Sequence, residues 1–426
     1  TLLQLSRLAY TEGQTAQAQS YANDAINFAQ QRGLDEPVAL GLKNLGYTYF
    51  LAGKYGEAET SYQRALEFAK RNKSRLREAE VLQNLATLYI QRLRTDDGLR
   101  FAQQALTFFE QGGYRSNIHT CLTLMGRANR RKGNYEEALR YFQRALGLAQ
   151  STSYKAQIAF SYGEIATALA EQERYPEALD HYNRSFEIQQ SLDDRRNMAY
   201  NLMNRGYVLW RLGNTAEARA SLDRAAELAG QPEGGVKPVL AEVPLHLAEI
   251  ELSERHFAEA AAASRRALEL SAREFDGIAL QARSALGQAL AAGGNAAEGR
   301  KECEAAVEMA ARAGDEALIS RTILALAEVL LEAGEAERAR ALALEAQERF
   351  KRAGQLESEW RAWVAAARAS RLRRDDQAAS DHLARAAEAL STLRQKWGSP
   401  TMELYLKRPD IEFSHKQLGE AVTAEK

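Results

Sequence analysis

"NLGYTYFLAGKYGEAETSYQRALEFA", residues Asn44 to Ala69, is the stretch that decides the fold. Leu45, Tyr49 and Phe50 fall at helical spacing, Gly53-Lys54 interrupts the run, and Ala58, Tyr62 and Ala65 resume it. Ala58 and Ala65 are two helical turns apart, so both lie on one face, where a small side chain lets a neighbouring helix approach. Glu57 stands in the first turn of the second helix, where a negative charge suits the positive end of the helix dipole.

The stretch recurs. "KYGEA" at Lys54 returns as "NYEEA" at Asn134, "RYPEA" at Arg174, "NTAEA" at Asn214 and "HFAEA" at His256, and it has weaker copies from Gln14 to Asp375, ten in all. The spacing is about 40 residues. Two small positions keep the register throughout: Ser6, Gly46, Ala86, Gly126, Ala166, Gly206, Ala248, Gly287, Ala327 and Ala367 on a first helix, and Ala25, Ala65, Ala105, Ala145, Ser185, Ala225, Ala267, Ala306, Ala346 and Ala386 on a second. Each copy therefore reads helix A, a short turn and helix B, with small residues where the two cross.

Leu45, Gly46, Tyr49, Ala58, Tyr62 and Ala65 stand where the tetratricopeptide repeat (TPR) signature places Leu, Gly, Tyr, Ala, an aromatic and Ala, so the chain resembles that family over nearly its whole length. It departs from the family in its longer period and in Lys70, which stands where a proline usually follows helix B. The resemblance implies an all-α, right-handed TPR-type α-solenoid of about ten helix-turn-helix repeats with a C-terminal capping helix. Residues 1–230 are expected to hold repeats 1–6, 231–244 a kink or linker near Gly234-Gly235, 245–392 repeats 7–10, and 393–426 a capping helix and polar tail, with Trp397, Leu404, Tyr405 and Leu406 covering the last apolar face. Because the chain begins at Thr1 with helix A of the first copy cut short, it reads as a fragment.

Composition fits this. The 426 residues are 45% hydrophobic and 27% charged with net charge −1, as in a folded protein without a nucleic-acid-binding excess of cations. Residues 51–150 carry 17 Lys/Arg against 10 Asp/Glu, a local surplus suited to an acidic protein partner. No apolar run reaches membrane-spanning length and no secretion signal opens the chain, so the expected location is cytoplasmic. The two cysteines fall inside helical patterns and read as buried thiols.

Candidate chemistry dissolves on inspection. Glu136 and Glu137 are adjacent on a helix and point about 100° apart, so they cannot flank one bond as paired catalytic carboxylates do. Gly53-Lys54 mimics a phosphate loop but is followed by Tyr55, not Ser or Thr. None of the six histidines forms a metal-ligand spacing. The reading is therefore of a non-enzyme without cofactor or metal.

The best candidate site is the inner face. The resemblance implies that helix A presents the positions three and two before the small residue and one, four and five after it to a bound peptide. On copies two to six these give Lys43, Asn44, Tyr47, Gln83, Asn84, Arg127, Arg130, Arg131, Asn204, Tyr207, Trp210 and Arg211. An asparagine amide both donates and accepts, matching an extended backbone, and arginine pairs with carboxylates. The same positions give His246, Glu249, Ala285, Ala325 and Glu328 further on, a face of different character. The expected function is a scaffold holding a peptide or protein segment, within a larger bacterial signalling protein. The expected partner is an acidic protein or peptide, with no membrane or nucleic acid, and self-association is compatible with the fold. The alternative is a small-molecule-sensing segment of an ATP-dependent transcription regulator.

Overall fold

A computed structural model of the chain describes residues 1–11, 14–92, 94–231, 236–271 and 276–424. Among them it shows twenty-two helices, numbered α1 to α22 in chain order, and no strand. The first twenty form ten A–B pairs, as the repeat predicts. In copy two, α3 (Asp35–Leu51) packs on α4 (Tyr55–Arg71).

The small positions sit at these crossings. Ala65, Ala105, Ala145, Ser185, Ala225, Ala267, Ala306, Ala346 and Ala386 are all fully buried. A Cβ on Gly46 would lie 2.7 Å from the Tyr62 ring, and one on Gly126 would lie 2.4 Å from the Phe142 ring, so glycine is what admits the aromatic.

Where it is described, the residue seven after the small position of the A helix turns left-handed, and the following N–H returns to a carbonyl five residues back: Lys54 to Tyr49 at 2.9 Å, Asn214 to Leu209 at 2.8 Å, Glu335 to Leu330 at 2.9 Å. Gly53, Gly133, Gly213, Gly294 and Gly334 fill this slot with positive φ, while Glu173, Arg255 and Arg374 fill it without being glycine. A non-glycine residue there is uncommon and costs backbone strain.

Contacts divide the chain into two compact units, residues 1–132 with 136–157, and 133–135 with 158–426. Gly234-Gly235 lies outside the described residues, and α13 (Lys237–Ser253) already includes Pro238 in its first turn and Pro244 inside it. Proline is tolerated at a helix start because its missing N–H would be unpaired there anyway.

Helix α20 (Asp376–Trp397) runs on to Trp397, followed by α21 (Ser399–Tyr405) and α22 (Pro409–Ala424). Trp397 and Tyr405 are both buried: Trp397 Nε1 donates to the Glu173 carbonyl at 3.0 Å and its ring lies 5.4 Å from Tyr175, in copy five, while Tyr405 accepts from Trp360 Nε1 at 3.0 Å on α19 (Leu356–Leu372), in the last copy. Leu404 stays 39% exposed. Trp and Tyr are drawn to places where the ring is buried and the polar tip is paired.

Candidate functional site

In the first unit the helix-A face is open and partly paired with itself. Lys43 Nζ meets Glu80 at 2.7 Å, and Gln83 accepts from Asn117 Nδ2 at 3.1 Å. Tyr47 is 46% exposed and stacks on Phe50. Asn44 and Asn84 are half-buried, and their amides make no side-chain hydrogen bond among the described residues. Arg127, Arg130 and Arg131, on α7 (Arg115–Arg131), are half-buried.

In the second unit the candidates sit on α11 (Arg195–Arg211). Asn204 is half-buried and again lacks a side-chain hydrogen bond among the described residues. Trp210 is buried, its Nε1 donating to Ser253 Oγ at 3.0 Å, and Tyr207 packs 5.0 Å from His246 and accepts from Arg211 at 2.9 Å. Arg211 is buried and ion-paired with Glu357, at the start of α19 (Leu356–Leu372). Copy six thus spends its arginine on an internal pair.

That pair belongs to a closure within this unit. The Glu173 carboxylate accepts from the Glu357 N–H at 2.6 Å, from the Ser358 N–H at 3.0 Å and from Ser358 Oγ, so it caps α19 from 185 residues away. Tyr405 Oη donates to Glu357 at 3.0 Å, and Arg408 Nη1 donates to the Arg211 carbonyl at 3.0 Å. A Cβ on Gly213 would lie 2.5 Å from the Leu404 carbonyl oxygen. Burial, and then the charge of Glu357, raises Glu173 to about 7. Burial also works against ionised Glu357, but Arg211, Arg361 and Arg408 outweigh it and hold that carboxyl below its usual range.

Beside the closure lies a cavity of about 430 Å³, lined by α11, α13, α15 (Asp276–Ala292), α17 (Glu316–Glu332), α19 and α22. Trp210 and Arg211 line it; the other ten candidates do not. Yet the positions are the expected ones, carried by later copies: Glu249, Ser253, Ala285, Gln288, Ala325 and Glu328. A further row, six before the small residue, adds Gln281, Arg321 and Arg361. Phe413 of α22 forms a wall, with Arg255 and Arg368 over its ring at 5.7 and 5.8 Å.

Sequence reasoning passed over Glu173, Glu357, Arg321, Arg361 and Arg408. One signal was available: at the turn position that favours glycine, copy five has Glu173 and copy seven has Arg255, and the first makes the closure while the second lines the cavity.

Residues 37–111 and 118–191 match one tetratricopeptide-repeat family profile, and residues 199–232 match a second. No curated protein matches the sequence significantly. Among solved structures, the apo quorum sensor NprR from B. thuringiensis is similar at TM-score 0.54 and 14% identity, over 82% of this chain and 98% of that one. A Rap protein complexed with Competence and Sporulation Factor follows at TM-score 0.52 and 14% identity, over 81% and 99%. The Rap conjugation gene regulator of plasmid pLS20, in complex with the Phr* peptide, gives TM-score 0.51 and 16% identity over 76% and 77%. At these identities the likeness is one of fold.

Proposed function

The chain is a tetratricopeptide-repeat protein, and on that premise we propose that it is a non-catalytic interaction and regulatory protein whose helix-A faces hold a peptide or protein segment. The observation that carries this reading is the asparagine position: Asn44, Asn84 and Asn204 repeat in register, are half-buried, and have no side-chain hydrogen bond among the described residues. An amide left without a partner costs stability when buried and is a ready receptor for a backbone N–H and C=O. That two of the similar structures are described with a bound peptide or factor agrees with it.

The test is peptide selection from a displayed library against the wild-type protein. The combination of Asn44→Ala, Asn84→Ala and Arg127→Glu should weaken the selected peptides at least tenfold, given about 1 kcal/mol per lost hydrogen bond. Unchanged affinity would remove the groove assignment.

A second reading, small-molecule sensing, is favoured by the cavity of about 430 Å³. That volume is in the range of ligand pockets, roughly 300–1,000 Å³. A sharp thermal-shift response to one metabolite would support it, and a flat response across a metabolite library would oppose it.

A further inference from the structure

Charge in the cavity of the second unit does not balance. Each carboxylate that lines it already has a partner: Glu249 with His246 Nδ1 at 2.9 Å, Glu328 with Gln288 Nε2 at 2.6 Å and Arg361 at 3.5 Å, Glu332 with Arg368 at 2.9 Å, and Asp410 with Arg408 at 2.7 Å. Of the lining arginines, Arg211 is matched by Glu357, Arg361 by Glu328, and Arg368 by Glu332. Arg321 is different. It stands in the same repeat position as Arg361, one copy earlier, is partly buried, and makes no hydrogen bond or ion pair among the described residues. Arg255, which is exposed, meets the rings of Phe257 and Phe413 and no carboxylate among the described residues. The unmatched charge is therefore positive, on a side chain that cannot shed its proton.

An unpaired, partly desolvated guanidinium costs stability in the ligand-free protein. It repays that cost when an anion arrives, because a planar fork of N–H donors fits a carboxylate or phosphate with two bonds. The cavity also offers apolar wall from Ala285, Leu324, Ala325 and Phe413. Resting on the reading of this cavity as a ligand site, we propose that it takes a ligand bearing a carboxylate or phosphate, which Arg321 binds as the anion-reading residue.

Hexaglutamate, hexaglutamine, citrate and pyrophosphate serve as probes, followed by Trp fluorescence, since Trp210 lines the cavity, and by thermal shift. At least one anionic probe should bind the wild type saturably and raise its Tm. Arg321→Gln should weaken that binding at least tenfold, Arg321→Lys should fall between, and ligand-free Arg321→Gln should melt at or above the wild-type temperature. Hexaglutamate binding alone assigns the anion to an acidic peptide; citrate or pyrophosphate binding alone assigns it to a small metabolite. The proposal is overturned if no anionic probe binds at millimolar concentration, if Arg321→Gln leaves binding unchanged, or if ligand-free Arg321→Gln melts well below wild type. It is also overturned if hexaglutamine binds as well as hexaglutamate, although peptide binding itself would then stand.

Discussion

The helix-A face of the first unit and that of the second use the same repeat positions and reach different ends. In the first, Lys43 and Gln83 pair with neighbouring copies at half-exposed sites and Tyr47 faces solvent. In the second, Arg211 is buried against Glu357, and α22 walls a cavity over Glu249, Gln288 and Glu328. The register decides which residues face inward. What packs over them decides whether that face is a surface or one wall of a pocket.

The sharpest way to break this contrast is at the buried pair. Arg211→Met takes the direct ion pair from buried Glu357, leaving it the Tyr405 hydroxyl and the more distant Arg361, and should cost about 3–5 kcal/mol. Lys43→Ala, at the half-exposed pair with Glu80, should cost about 0.2–1 kcal/mol. Urea unfolding of both variants checks this, and equal losses would mean that the closure contributes no more than the surface pair.

Next in size is a pH dependence. Glu173 is raised to about 7 by burial and by Glu357, so between the ordinary carboxylate range and pH 7 the native state holds a proton that the unfolded chain has released. Stability should therefore fall as pH rises through that window, by on the order of 3 kcal/mol, and level off above it. Glu173→Gln keeps the shape of the protonated form and should flatten that slope relative to wild type. Urea midpoints at pH 5, 6, 7 and 8 measure it; parallel curves for the two proteins would refute the assignment.

The smallest effect compares two turns. Gly53 has φ of 72° and open space where a Cβ would go, so Gly53→Ala should cost about 1 kcal/mol of backbone strain. Gly213 has φ of 92° and the Leu404 carbonyl in the way, so Gly213→Ala should cost about 2–3 kcal/mol. Thermal melts that shift equally would place α21 away from the copy-six turn.

Much of this was legible beforehand. The recurring small residues specified the A–B crossings, and the positions expected on the inner face do line the cavity of the second unit, though mostly in copies seven to nine rather than two to six. Polar and aromatic residues make the earlier copies stand out in the sequence, whereas Ala285 and Ala325 look inert until the cavity they line with Phe413 is seen. Trp397 and Tyr405 stand out in the sequence as covering residues; Tyr405 packs on Trp360 of the last copy, whereas Trp397 also reaches Glu173 and Tyr175 of copy five.

By itself the sequence determined the repeat: its helices, its turns, its close crossings and the row of side chains turned inward. These depend on contacts within a copy or between adjacent copies, which a period of about 40 residues makes visible. The tertiary structure alone decided that Glu173 caps a helix 185 residues away, that Arg211 pairs with Glu357, and that Arg321 has no direct ion pair among the described residues. Those outcomes depend on how the copies of the second unit stack, a sum of small inter-repeat rotations that no single copy encodes.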